Sequence, residues 1–492
     1  MEFCNTIVDS LIPMPQFFEA TSGREYLIKD GCRAVISVAE PIGVKEKAEE
    51  LFWNYWQVKP AVALQNPKET LQSLGGESYH IGVTQDELYI AAYNIKGMMN
   101  AFKTLRQLAE VSHGIGELTG YFLIPCQIKD YPALSFRGVH ICIFPETPIW
   151  DIEKQLRIAA YHKFNYAIIE TWGVFPFESH PEFCWDDRKV SKTDLQRLIH
   201  LGKDIGITLI PQLNLFGHAS ASRVCSGKHA ILDYHPSLQP LFEPLGWSWC
   251  ISNPEVRRIQ ADLVLELYEF YGRPEFFHIG CDEAYDIGSC CECRKHVLKD
   301  LLKEHILFFY ELLKKRGCRI IMWHDMLVRE DDVRWKGYIA LGMAQHHLEN
   351  LHRELPRDIV IADWQYLYPE SKDLAEPDWP TSEFFKNAGF DVLVCPWLDV
   401  RGTKSLGAFA ADNRLMGMLA TTWHMVHDHK FADVYGIAAA MAWNPESVLS
   451  CPQLATAMHL RQIGWDMNIA DYAKTGFIQD QIDPGKHPHL RT

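Results

Sequence analysis

Pro274-Glu275-Phe276-Phe277-His278-Ile279-Gly280-Cys281-Asp282-Glu283 is the stretch on which the reading of this chain turns. Phe276 to Ile279 is a short run bounded by a proline and a glycine, the pattern of a buried strand. It runs straight into two adjacent carboxylates. Side by side, Asp282 and Glu283 repel one another, so they must differ in protonation or in role. One acting as proton donor and the other as charged partner is a division that acid–base catalysis uses. An exposed Asp-Glu turn is the plain alternative, and the surroundings have to choose.

Those surroundings are large. At 492 residues, 47% hydrophobic and with 15 Trp, the chain holds material for two domains or one large barrel with an addition. Indole faces also suit the C–H faces of pyranose rings, although a core is their commoner place. A formal charge of −15 argues against nucleic acid or an anionic membrane as the main partner, and a neutral ligand fits it. Met1 to Asp9 shows no basic segment leading into a long apolar core, and no apolar run reaches transmembrane length. The 14 cysteines show no disulfide-like framework, so a cytoplasmic location is expected. Cys290, Cys291 and Cys293 cluster, but as zinc ligands they would want a fourth partner such as Cys281 or His296. Lacking a clean pair of Cys-x-x-Cys knuckles, they read as free thiols, and no metal or other cofactor is expected. The oligomeric state is open, a homodimer being one option.

Taken in order, residues 1–132 read as a small α/β domain that packs rather than catalyses. Cys32–Ala39 is an apolar strand, Val44–Trp56 an amphipathic helix, and Tyr79–Val83 with Leu88–Tyr93 a hairpin. Lys96–Val111 carries apolar residues at helical spacing. Residues 133–444 then alternate strand and helix, the signature of a parallel α/β architecture. The expected strands are Gly138–Ile143, Tyr166–Glu170, Ile207–Leu213, Phe276–Ile279, Arg319–Trp323, Ile359–Asp363, Val392–Cys395 and Met418–Thr421. Tyr338–Met343 competes for sixth place. Ile152–His162, Lys192–Asp204, Glu255–Tyr271 and His296–Arg316 are amphipathic segments between strands. Eight strands in that span match a (β/α)8 TIM barrel. Residues 445–492 read as a helical extension and a polar tail.

A barrel of this kind places its site at the carboxyl ends of the strands. The residues expected there are Arg137 and His140, Glu170 and Trp172, Asn214 and His218, then Asp282 and Glu283. Trp323, His324 and Asp325 follow, with Asp363 and Trp364, Trp397 and Asp399, and finally Trp423, His424, His427 and Asp428. Acids and indoles gathered on one face have the composition of a sugar pocket. In glycoside cleavage, paired carboxylates take the two roles outlined above.

At this point the residues resemble a known family. His278-Ile-Gly-Cys-Asp-Glu283 is similar to the His-x-Gly-Gly-Asp-Glu motif of the family 20 glycoside hydrolases, the β-N-acetylhexosaminidases. Ile124 to Val139 resembles that family's junction into its first barrel strand, and Ile210-Pro-Gln-Leu-Asn-Leu-Phe-Gly-His218 its third-strand motif. The likeness covers roughly residues 70–430. It implies exo-hydrolysis of terminal β-linked N-acetylglucosamine or N-acetylgalactosamine, with retention, from an oligosaccharide or glycoconjugate. The family's mechanism is substrate-assisted: the 2-acetamido oxygen attacks the anomeric carbon and forms an oxazolinium. By resemblance Asp282 orients the acetamido N–H and Glu283 moves the proton, which calls for a Glu283 pKa raised by burial and by Asp282. Arg137 matches an arginine that binds ring hydroxyls. Trp323, Trp364, Trp397 and Trp423 match the acetamido pocket and sugar platform, and Asp399 a seventh-strand aspartate.

The chain also departs from the family. Ile168 to Glu178 lacks the usual His-x-His and Asp-Asp, leaving Glu170 as a sugar contact or a salt-bridge partner of Arg137. Phe216 replaces a proline, Cys281 a glycine and Trp397 a tyrosine that bonds the acetamido oxygen. Trp423-His-Met replaces Trp-x-Glu, so His424 is the candidate for a hydroxyl contact, while His218 is read as a polar relay to the acid pair. Glu170, the Phe-Gly-His segment and the missing leader resemble an intracellular, hexosaminidase D-like branch. Two other classes remain: a non-catalytic glycan-binding protein on a decayed barrel, and metal-dependent hydrolysis through His424, His427, Asp428 and His429.

Overall fold

Eight parallel strands close into a barrel in the computed structural model: Phe136–Ile143, Tyr166–Thr171, Thr208–Gln212, Phe276–His278, Arg319–Trp323, Val360–Asp363, Asp391–Val394 and Gly417–Thr421. The structure describes residues 11–39, 42–66, 75–114, 117–184, 189–223, 228–366, 378–423, 430–447, 455–460 and 463. All eight strands fall where the apolar runs predict them. Tyr338–Met343 is not a strand; Gly342 makes only an isolated bridge to Arg329.

Closure comes from pairing the first strand with both the second and the eighth, with Gly138 opposite Tyr166 on one side and Leu419 on the other. Successive side chains alternate between barrel interior and helix layer. Phe136, Ile168, Ile210, Phe276, Ile321, Val360, Leu393 and Leu419 all lie in one interior cluster. Flanking helices begin on designed caps: Ser191 accepts from the Asp194 N–H, and Asn253 from the Glu255 N–H with Pro254 in the first turn.

The described residues divide into two compact units: those up to 132, with 149–163 and those after 446, form one, and 133–148 with 164–446 the other. The first unit holds a six-stranded sheet in the order Phe17–Ala20, Cys126–Asp130, Tyr79–Val83, Leu88–Ala92, Arg33–Val38, Ala61–Gln65. Helices Val44–Trp56 and Ile95–Leu108 belong to it, the latter capped by Asn94, which accepts from Lys96 and Gly97. That helix ends sooner than its periodicity suggests, because Glu110–Gly114 leaves it as a strand paired with Glu117–Leu123. Residues 149–163 group here for a visible reason. The Lys163 ammonium sits 2.9 Å from Asp130 Oδ2 and 2.7 Å from the Tyr79 hydroxyl, all fully buried. Most of the expected carboxyl-terminal extension lies outside the described residues.

Candidate active site

The fourth strand ends at His278 and the backbone then turns sharply. Gly280, Cys281 and Glu283 all have positive φ, at 65°, 76° and 45°. This left-handed conformation is easy for glycine and costs roughly 1 kcal/mol or more elsewhere. A side chain at Gly280 would in any case strike Asn214, 2.2 Å from its Oδ1. The turn throws Asp282 and Glu283 toward the loop after the third strand. That loop closes in because Gly217 has no side chain: a Cβ there would lie 2.3 Å from the Asp282 carbonyl oxygen and 2.9 Å from that of Glu283. The next residue is His218. Its Nε2 stands 3.2 Å from Glu283 Oε2 and 3.6 Å from Asp282 Oδ2.

The charges follow from this geometry. Burial alone would lower His218, but bonds and charges from both carboxylates raise it well above its ordinary value. Burial raises Asp282, aided by the charges of Glu283 and Glu170 and opposed by His218. Burial would raise Glu283 as well, but His218 and a hydrogen bond from Tyr285 outweigh it and lower the carboxyl. The expectation of a raised Glu283 is therefore corrected: the His218 imidazolium and the Tyr285 hydrogen bond outweigh burial and hold its carboxyl below the ordinary value. The Glu283 N–H donates to Asp325 Oδ2 at 2.9 Å, and the Trp364 indole N–H reaches Asp325 Oδ1 at 3.1 Å. Among the described residues, Asp282 Oδ1 is buried without a hydrogen-bond partner.

Glu170 lies close by, buried, but pairs with His140 at 3.1 Å instead of Arg137 and accepts from Asn214 Nδ2 at 2.6 Å. Burial would raise it; His140, His218 and Asn214 together lower it. Glu170, Trp172, Asn214 and His218 share a cleft. Trp364 and Trp423 both reach the site, their ring centroids 6.3 Å apart, and Trp397 meets Tyr366 at 5.1 Å.

Three expectations do not survive. Arg137 is the second residue of its strand, at the barrel's amino end, and points outward. Its Nη1 donates to the carbonyls of Leu134 and Ser135, and its guanidinium lies over Trp443, so it cannot hold ring hydroxyls. Trp323 is within the barrel core, fully buried, its ring tilted against that of His278 with centroids 4.4 Å apart. Asp399 caps the helix Val400–Asp412, its Oδ1 accepting from the Gly402 N–H. His424, like His427, Asp428 and His429, lies outside the described residues.

Three residues were missed. Trp247 donates its indole N–H to the Glu283 carbonyl and packs 4.8 Å from His218. Tyr285, exposed, stands 5.5 Å from Trp247. Tyr366 packs between Trp364 and Trp397, and the charges of Asp282 and Glu283 both act on its hydroxyl. The aromatic density of Gly246-Trp-Ser-Trp249 and the two-residue spacing of Tyr366 from Trp364 were the available signals.

The catalytic-domain profile of glycosyl hydrolase family 20 matches residues 125–442. The chain belongs to that family. Beta-hexosaminidase 1 of Coccidioides posadasii is 24% identical over 346 residues, covering 62% of this chain and 52% of the relative. A beta-N-acetylhexosaminidase of Cellulomonas fimi is 24% identical over 349 residues, covering 64% and 66%. The chain spans about half the length of the first of these, and 42% of a Dictyostelium discoideum beta-hexosaminidase subunit A1. In fold it is similar to a family 20 exo-beta-N-acetylglucosaminidase from Vibrio harveyi, solved in complex with N-acetylglucosamine. That match has a TM-score of 0.69 at 15% identity and covers 93% of this chain and 77% of the other.

Proposed function

We propose that this family 20 protein is an exo-β-N-acetylhexosaminidase, releasing terminal β-linked N-acetylglucosamine or N-acetylgalactosamine with retention, through an oxazolinium formed by the substrate's own acetamide. The observation that carries it is the buried Oδ1 of Asp282, which has no hydrogen-bond partner among the described residues. A buried acceptor left without a donor costs about 1–3 kcal/mol, so its persistence argues for a donor that arrives with the ligand. An acetamido N–H fits. It aligns the acetamido oxygen on the anomeric carbon, and Asp282 stabilises the positive charge that then develops.

Glu283 protonates the departing oxygen and afterwards takes a proton from water. His218 and Tyr285 lower its carboxyl, so substrate binding has to raise it. An aglycone over the carboxyl removes water and strengthens the effect of burial. The N–H on Asp282 offsets the charge that keeps His218 protonated, which weakens the grip of His218 on Glu283. Trp364 and Trp423 form apolar walls for the sugar. Tyr366 takes the acetamido-oxygen contact: burial, Cys395 and the two acid charges raise its hydroxyl well above the ordinary value, keeping it a donor. Glu170 and the Phe216-Gly217-His218 loop support a place in the hexosaminidase D-like branch. The free thiols of the described cysteines support a reducing, cytoplasmic setting.

Side-by-side assay on aryl β-N-acetylglucosaminide and β-N-acetylgalactosaminide tests the reading. Turnover of at least one, abolished in Glu283→Gln, supports it. Binding without turnover across both would instead favour a glycan-binding protein.

A further inference from the structure

The structure assigns a second site, away from the acid pair, to a zinc ion held by Cys250, Cys290, Cys293 and Glu243. The ligand atoms of these four all lie within 4.8 Å of one another. Cys250 Sγ is 3.5 Å from Cys290 Sγ and 3.8 Å from Cys293 Sγ, and Glu243 Oε1 is 3.0 Å from Cys293 Sγ. A tetrahedral zinc with bonds of about 2.3 Å to sulfur sets its sulfurs about 3.8 Å apart. A disulfide would need about 2.05 Å, and three thiols cannot all pair. The spacing is that of ligands around an ion.

The local backbone supports this. Cys290-Cys291-Glu292-Cys293 is a Cys-x-x-Cys turn in which the Cys293 N–H points at Cys290 Sγ, 3.2 Å away. That bond orients a thiolate, as a supporting shell does for a metal ligand. The Cys290 N–H, at 2.6 Å, and the Ser289 hydroxyl reach Glu243 Oε2, leaving Oε1 toward the sulfurs. Glu243 is fully buried, and the side-chain contacts it makes among the described residues are with the Ser289 hydroxyl, the Cys290 N–H and the Cys293 thiol, none of them a cation. A buried carboxylate among thiols wants a cation, and soft sulfur donors with one oxygen select zinc over calcium or magnesium. The sequence suggested Cys281 or His296 as a fourth ligand, and Cys291 as a third. Cys281 is instead buried under the acid pair, Cys291 is exposed, and the partners come from about forty residues upstream.

With four protein ligands the site is closed and structural. It ties the segment 243–250 to the loop 285–293 that follows Glu283. Between those ligands lies Trp247, whose indole holds the Glu283 carbonyl, and the Leu245 N–H reaches Asp286 across the same seam. The ion thus acts as a staple that positions Trp247 and Tyr285 at the rim of the catalytic site, taking no part in chemistry.

The test is metal content, read independently of hydrolysis. Protein purified from zinc-supplemented culture should carry one zinc per chain by elemental mass spectrometry. A thiol-specific mercurial should release it as three thiols are consumed. Cys290→Ser/Cys293→Ser should lose the zinc, and Cys291→Ser should keep it. Should the double variant fail to fold, the mercurial titration of the wild-type chain decides alone. Wild-type protein without stoichiometric zinc, a different metal in its place, a Cys250–Cys290 disulfide in the intact mass, or zinc retained by the double variant would each overturn the assignment.

Discussion

Two buried aspartates, Asp130 in the first unit and Asp282 in the barrel, differ in one respect that separates scaffold from site. Asp130 is saturated: Oδ1 accepts the backbone N–H groups of Gln16 and Tyr131, and Oδ2 meets the Lys163 ammonium and the Tyr79 hydroxyl. Asp282 is also buried but shares one histidine with Glu283, and among the described residues its Oδ1 has no hydrogen-bond partner. A satisfied buried acid stiffens a fold; one left half satisfied keeps a place for something else.

The comparison can be broken most forcefully at Glu283. Glu283→Gln should lower kcat by about 10²–10⁴-fold on an aryl β-N-acetylhexosaminide while leaving the urea unfolding midpoint nearly unchanged. Lys163→Met should do the reverse. Removing one partner of a buried pair should destabilise the chain by about 3–5 kcal/mol in denaturant titration, with kcat per folded molecule unaltered. If Lys163→Met proved stability-neutral, the Asp130 network would not be the scaffold described.

Much of this was legible in the sequence, and the failures have physical causes. The eight strands could be read because parallel strands covered on both faces become short apolar runs. The Asp282–Glu283 pair could be read because it sits at a strand end after a glycine. Arg137 could not be placed, because strand side chains alternate: Phe136 fills the barrel and so turns Arg137 outward. Trp323 misled because a strand's last residue can face core or mouth. Asp399 misled because the same carboxylate serves a helix cap. The sulfur cluster was hidden by distance along the chain, since nothing near Cys290 announces Cys250 or Glu243.

Two smaller effects sharpen the comparison. Tyr366→Phe should lower kcat/KM roughly tenfold, the worth of one hydrogen bond to the acetamide, with stability unchanged. No loss would withdraw that contact from Tyr366. His218→Gln removes the group that lowers Glu283 and opposes the rise of Asp282, so both carboxyls should move up. The kcat/KM profile should then shift to higher pH on both limbs, alongside a lower maximum. In wild type the raised His218 stabilises the fold fully below its unfolded pKa of about 6.5, and that contribution disappears as pH rises through the folded value. Unfolding of the variant should lack this alkaline loss.

The central claim is that the substrate's acetamide, held by Asp282, is the nucleophile. Substrates bearing N-acetyl, N-fluoroacetyl, N-difluoroacetyl and N-trifluoroacetyl groups test it in the wild-type enzyme, because each fluorine weakens the amide oxygen while leaving the leaving group alone. A kcat/KM that falls steeply along the series is the predicted result. Equal rates across all four substrates would contradict the account.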